Sequence, residues 1–228
     1  MVKQKSISSE QALKLANAAA AKGNKADAEK YFNAVLVKYP DNKDAIKGIK
    51  NLNPNNLYRD DLDELQELLK KGQFKEVEVR AGLYLERYPE VQELWGLLGA
   101  SIGTRGEHDK ALPLFEKAAE LSPDSANAQY NLANAYKATG DLDGAEKYYL
   151  SAIKLKSKFV AAHNNLGNIY MTKKEFDKAV IIFDKALKLA PKSVEVLINA
   201  ATVYKETGDD AKAEELCDTA RALRPVKH

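Results

Sequence analysis

Three histidines, one cysteine and a few adjacent acids are the side chains of this 228-residue chain best suited to catalysis or metal binding. His108, His163 and His228 lie far apart, and none sits at His-Glu-x-x-His or other metal-ligand spacing with a partner carboxylate. Cys217 is alone, so it can form neither an internal disulfide nor a multi-cysteine metal site. That usage fits a reducing compartment, the cytoplasm, and Cys217 is expected to be a small buried hydrophobe. Gly99, Gly103 and Gly106 follow no strand, so they do not form a phosphate loop. Asp60-Asp61 and Asp209-Asp210 fall near helix starts, where carboxylates favour the helix dipole and solvent. No catalytic constellation, metal site or cofactor is expected. What remains is carboxamide chemistry: Asn131, Asn165 and Asn199 recur 34 residues apart. A carboxamide both donates and accepts, so it can pair with a peptide backbone whatever its sequence.

Composition narrows the classes without choosing a chemistry. The chain is 45% hydrophobic and 30% charged, with a net charge of +2 that argues against a dedicated nucleic-acid binder. No apolar run is long enough to span a membrane. The Ala18–Ala21 stretch, flanked by Lys14 and Lys22, lacks the leucine-rich centre of a secretory signal.

The elements that position the asparagines come from a repeat. Pro89, Pro123, Pro191 and Pro225 fall on a 34-residue grid whose missing rung is Ser157. Ala111, Ala145, Ala179 and Ala213 keep the same step, with Val77 one step earlier. So do Gly72, Gly106, Gly140 and Gly208, with Lys174 in the gap. An earlier copy, marked by Gly23, Ala28 and Pro40, stands 49 residues before the next, an excess of 15. Within each copy apolar residues recur at three- and four-residue steps, break near the glycine and resume. Each copy is thus a helix pair ended by its proline, and a pair that cannot cover its own apolar faces must stack on its neighbours.

Repeat three, with Trp95, Leu98, Gly99, Ile102, Gly106, Ala111, Phe115, Ala118 and Pro123, resembles the tetratricopeptide repeat. Repeats four to six keep the pattern at Leu132, Tyr136 and Tyr149, at Leu166, Tyr170 and Phe183, and at Ala201, Tyr204 and Ala213. Six copies cover residues 9–225. The resemblance implies an all-α, right-handed superhelical solenoid, here of thirteen helices, with His163 in a packing position. It also implies that first helices line a concave face. Asn127, Asn131 and Asn134, then Asn165 and Asn168, then Asn199 would stand along that groove, with Tyr130, Lys137, Asn164 and Met171 beside them supplying selectivity. About 10 Å between rungs and 3.3 Å per extended residue would bring each rung to every third ligand residue. The arrangement is similar to the asparagine ladder in the repeats of the O-linked sugar transferase. The alternative is that these asparagines bond to neighbouring turns. The family's clamp for a chaperone's C-terminal carboxylate fits poorly, because Tyr130, Glu195 and Asn199 occupy its basic positions and Glu195 repels a carboxylate.

Two places break the pattern. Residues 43–50 are expected to form an unpaired helix closing the first repeat, and 51–57, Asn-Leu-Asn-Pro-Asn-Asn-Leu, a hinge before a five-repeat array over 58–228. A loop insertion in one rigid superhelix is the rival. Charge changes at the same place: residues 1–57 carry ten lysines and five acids, residues 58–125 nine basic and fifteen acidic side chains. At the other end Leu216, Cys217, Ala220 and Leu223 would be partly uncovered. Either the chain belongs to a longer polypeptide, or this helix packs on a second copy, or Arg221, Arg224 and Lys227 solvate it.

These readings make the chain a non-catalytic scaffold whose partner is a protein or peptide in the concave groove, with no nucleic acid and no membrane insertion. The alternatives are the substrate-docking repeat region of a larger enzyme, and a self-assembling scaffold. For the first, residues 62–123 resemble repeats found ahead of bacterial glycosyltransferase and sulfotransferase domains.

Overall fold

The computed structural model describes residues 8–52 and 59–223, and among them thirteen α-helices and no strand. The fold is all-α. The chain divides into two compact units between Glu64 and Leu65.

In the first unit, α1 (Ser9–Ala21) and α2 (Lys25–Lys38) form a helix pair and α3 (Lys43–Leu52) packs against both. Ser8 caps α1 reciprocally: its Oγ accepts from the Gln11 N–H at 3.2 Å, and its N–H donates to Gln11 Oε1 at 3.3 Å. Ala45 and Ile49 of α3 close a core with Ala16, Ala28, Phe32 and Val35. Gly48 lies flat over the Phe32 ring, where any Cβ would collide. The helix runs two residues past its expected end at 50, taking in Asn51 and Leu52. The rest of the expected hinge, residues 53–57, lies outside the described residues, as do Arg224, Pro225, Lys227 and His228.

In the second unit, α4 (Arg59–Lys70, which spans the division) and α5 (Phe74–Arg87) are followed by four regular pairs. These are α6 (Gln92–Thr104) with α7 (His108–Leu121), α8 (Ala126–Ala138) with α9 (Leu142–Leu155), α10 (Val160–Thr172) with α11 (Phe176–Leu189), and α12 (Val194–Glu206) with α13 (Asp210–Ala222). The glycine marker is the turn between the helices of a pair. Gly23, Gly72, Gly106, Gly140 and Gly208 have φ between +72° and +86°, and Lys174 occupies the same left-handed conformation at +60°. The next N–H reaches back to the carbonyl five residues earlier, Asp141 to Tyr136 at 3.0 Å and Glu175 to Tyr170 at 2.8 Å, closing a Schellman turn. The alanine marker is a packing position: Ala28, Val77, Ala111, Ala145, Ala179 and Ala213 are all buried.

Within a pair a small residue on the first helix admits an aromatic from the second, so that a Cβ on Gly167 would lie 2.6 Å from the Phe183 ring. Between pairs, tyrosines of first helices donate to carboxylates on the preceding second helix. The bonds are Tyr136 to Glu116 at 2.6 Å, Tyr170 to Glu146 at 3.0 Å and Tyr204 to Asp184 at 2.7 Å. Lys173 bridges to the half-buried Glu146 at 2.6 Å and to the exposed Asp143 at 2.8 Å. Pro113 is accommodated inside α7.

Candidate peptide-binding groove

Successive first helices touch directly, α6 with α8 and α10 with α12, and side-chain bonds join α8 to α10. The predicted residues all lie on these helices: Asn127, Tyr130, Asn131, Asn134 and Lys137 on α8, Asn164, Asn165, Asn168 and Met171 on α10, and Asn199 on α12.

The structure divides them into two groups. The first group stitches helix to helix. Asn165 Nδ2 donates to the Tyr130 hydroxyl and to Asn134 Oδ1, both at 3.1 Å. Asn134 Oδ1 also accepts from the Tyr149 hydroxyl at 2.5 Å. Burial, then the neighbouring Tyr130, pushes the Tyr149 phenol above its usual range, so it remains a donor. One repeat on, Asn199 Nδ2 donates to Asn164 Oδ1 at 2.9 Å, and Asn164 Nδ2 to Glu195 Oε1 at 2.9 Å. Asn164 is only 3% exposed, so its expected place beside a ligand is corrected: packing against α12 covers it and its amide group is consumed in the network. Tyr130 also packs, its ring 4.9 Å from Phe159 and 5.8 Å from Tyr149, and Met171 lies half-buried against the core.

The second group is unspent. Asn127 and Asn131 are exposed, Asn168 is half-exposed, and none of their side chains has a hydrogen-bond partner among the described residues. Lys137 is exposed and unpaired on the same face of α8. Asn131 explains itself by register. Asn165 and Asn199 reach residues 31 or 35 positions earlier. The same steps from Asn131 lead to Ala100 and Gly96, which have no polar side-chain atom to offer.

Beside Asn131 a hollow of about 340 Å³ opens between α6, α7 and α8. Ala100, Gly103, Phe115 and Ala138 give it apolar surface, and Asn131, Asn134 and the exposed His108 give it polar edges. Sequence reasoning missed this feature. Its signal was present: Gly96, Ala100 and Gly103 stand where the next repeats carry Tyr130, Asn134 and Lys137, then Asn164, Asn168 and Met171.

The remaining chemistry-bearing residues sit apart. His163 is 3% exposed, with Nδ1 3.0 Å from the Phe159 carbonyl, and is a packing residue. Cys217, expected from its repeat position to be buried and from its place on the sixth repeat to be partly uncovered, is exposed. Its short side chain occupies the place of Tyr149 and Phe183, and among the described residues no helix follows α13 to cover it. Leu216 and Ala220, expected to be partly uncovered, are buried, whereas Leu223 is 37% exposed. No group of three or more metal-ligating side chains gathers among the described residues, and no described helix is long and apolar enough to cross a membrane.

Comparison with known proteins matches this geometry. Tetratricopeptide repeat families match residues 12–42, 104–156 and 160–193. Over 84 residues, 37% of the chain, it is 33% identical to the probable UDP-N-acetylglucosamine–peptide N-acetylglucosaminyltransferase SEC of Arabidopsis thaliana, a stretch that spans 9% of that relative. Similar solved structures include PilF of Pseudomonas aeruginosa, with a TM-score of 0.67 and 18% identity, covering 73% of this chain and 76% of that one. MamA of Desulfovibrio magneticus RS-1 gives 0.65 and 18%, covering 73% and 93%. YrrB, described as a tetratricopeptide protein with an unusual peptide-binding site, gives 0.63 and 16%, covering 86% and 93%. From the left-handed turn at the centre of each pair to the small-on-aromatic contact behind it, this chain belongs to the tetratricopeptide repeat family.

Proposed function

We propose that the chain is a non-catalytic interaction scaffold that holds an extended peptide segment against α8 and α10. The observation that carries this reading is the row of unspent carboxamides, Asn127, Asn131 and Asn168, on helices whose other asparagines are consumed in fixing them. Unpaired groups held by a stitched frame can bond a peptide backbone with little ordering cost. Peptides selected from a random library on the full chain provide the test. Asn127→Ala/Asn168→Ala is expected to weaken them at least tenfold while leaving thermal unfolding unchanged. Unaltered affinity sinks the reading.

A second reading makes the chain the substrate-docking repeat region of a larger transferase. The 33% identity to the plant transferase favours it. The mass of the native polypeptide, determined by immunoblot of its source cells, decides between them.

A further inference from the structure

We propose that the hollow between α6, α7 and α8 is an anchor pocket for one aromatic side chain of the bound peptide, with Asn131 pairing to the backbone of that same residue. The inference rests on the groove reading and makes it specific. Three features lead to it.

The first is size and lining. An apolar cavity of about 150 Å³ already accepts a benzene ring. This hollow measures about 340 Å³ and presents Ala100, Gly103, Ala138 and the half-buried Phe115 ring. A methyl or isopropyl group would leave most of it empty, while a ring fills it and meets Phe115 at a favourable edge or offset geometry. No carboxylate, lysine or arginine lines it, and its one titratable side chain, the exposed His108, stands at the edge, so the apolar part receives an uncharged side chain.

The second is the unpaired amide. Asn131 lines the hollow, and its counterparts Asn165 and Asn199 show what a carboxamide in this register does when a partner is in reach: it bonds across to the preceding first helix. Across from Asn131 that helix offers only Gly96 and Ala100. A peptide laid over α6 would supply the missing donor and acceptor.

The third is the contrast with the neighbouring seams. The equivalent seams, α8 with α10 and α10 with α12, are closed by the asparagine networks and the Tyr130 ring. With rungs about 10 Å apart and about 3.3 Å per extended residue, the third residue after the anchor is the one that meets the next, closed seam. One aromatic residue would therefore set the register of the segment, and the free carboxamides would read the rest without regard to sequence.

The test selects a random twelve-residue phage-displayed library on the full chain and compares the winners against Ala138→Leu. Ala138 is exposed near the end of α8, and leucine is a good helix former, so this variant fills the hollow without entering the core. Gly103→Ala is the second variant. Its new Cβ would sit 3.5 Å from the Ala111 methyl, an ordinary contact, and would shrink the hollow from the other side. The enriched peptides are expected to share a Phe, Tyr or Trp at one position and to bind Ala138→Leu at least tenfold more weakly. Changing that aromatic to Ala should cost tenfold against wild type and nothing further against Ala138→Leu, the coupling a shared contact requires. Peptides without a common aromatic that bind both proteins equally, yet weaken with Asn127→Ala/Asn168→Ala, overturn the anchor and leave the groove standing. A library with no enriched peptide overturns both.

Discussion

Lys174 stands at the turn position that glycine fills in five other repeats, and it carries the same left-handed backbone at φ +60°. An L side chain in that region costs about 1–2 kcal/mol relative to a right-handed conformation. Lys174→Gly is therefore expected to stabilise the protein by about 1 kcal/mol, after glycine's larger loss of chain entropy is deducted. A urea midpoint that stays put or falls would refute this. The period at this turn was legible in the sequence because only one conformation closes it, and deviation by a single lysine did not hide the grid. Cys217 shows the converse: its repeat position implied burial, its place on the sixth repeat implied partial exposure, and the second holds, because a position within a repeat does not encode what packs on α13.

At the scale of helices, the interior glycines separate by what they face. A Cβ on Gly167 would press on the fully buried Phe183 ring, which has no room to yield, whereas a Cβ on Gly82 in α5 would meet nothing within 4 Å. Gly167→Ala should destabilise by about 1–3 kcal/mol through overpacking. Gly82→Ala should stabilise by about 1 kcal/mol through helix propensity. Circular dichroism melts of the pair should shift in opposite directions, and a common direction would show that propensity alone governs both. Helix number and pairing were readable from spacing, since the 3.6-residue period and the turn glycines coincide. The fate of each asparagine was not. Asn131, Asn165 and Asn199 are identical in type and register, and only the residues 31 and 35 positions earlier decide which carboxamide is used internally.

For the second unit as a whole, the phenols joining successive pairs make stability depend on alkaline pH. Burial and then the adjoining carboxylates of Glu146 and Asp184 push Tyr170 and Tyr204 from the ordinary 10.0 up to about 12. In the unfolded chain these groups lose their protons near pH 10, while the folded chain retains them. Their contribution is therefore complete below pH 10 and disappears as pH rises through about 12. Urea midpoints measured from pH 8 to 12 should fall across that window, and Tyr204→Phe should flatten the fall. A slope equal to wild type would exclude the Tyr204–Asp184 bond from the joint.

The contrast between the stitched and unstitched seams also governs how the array yields to force. Where α8 meets α10 and α10 meets α12, polar bonds tie the inner edge, and phenol–carboxylate bonds tie the adjoining layer. Where α6 meets α8, Tyr136 still bonds Glu116, but Asn131 has nothing to hold. Treated as a spring, this part of the chain has coils of unequal stiffness. Bending strain would gather at the compliant one, and that coil is the one bordering the hollow.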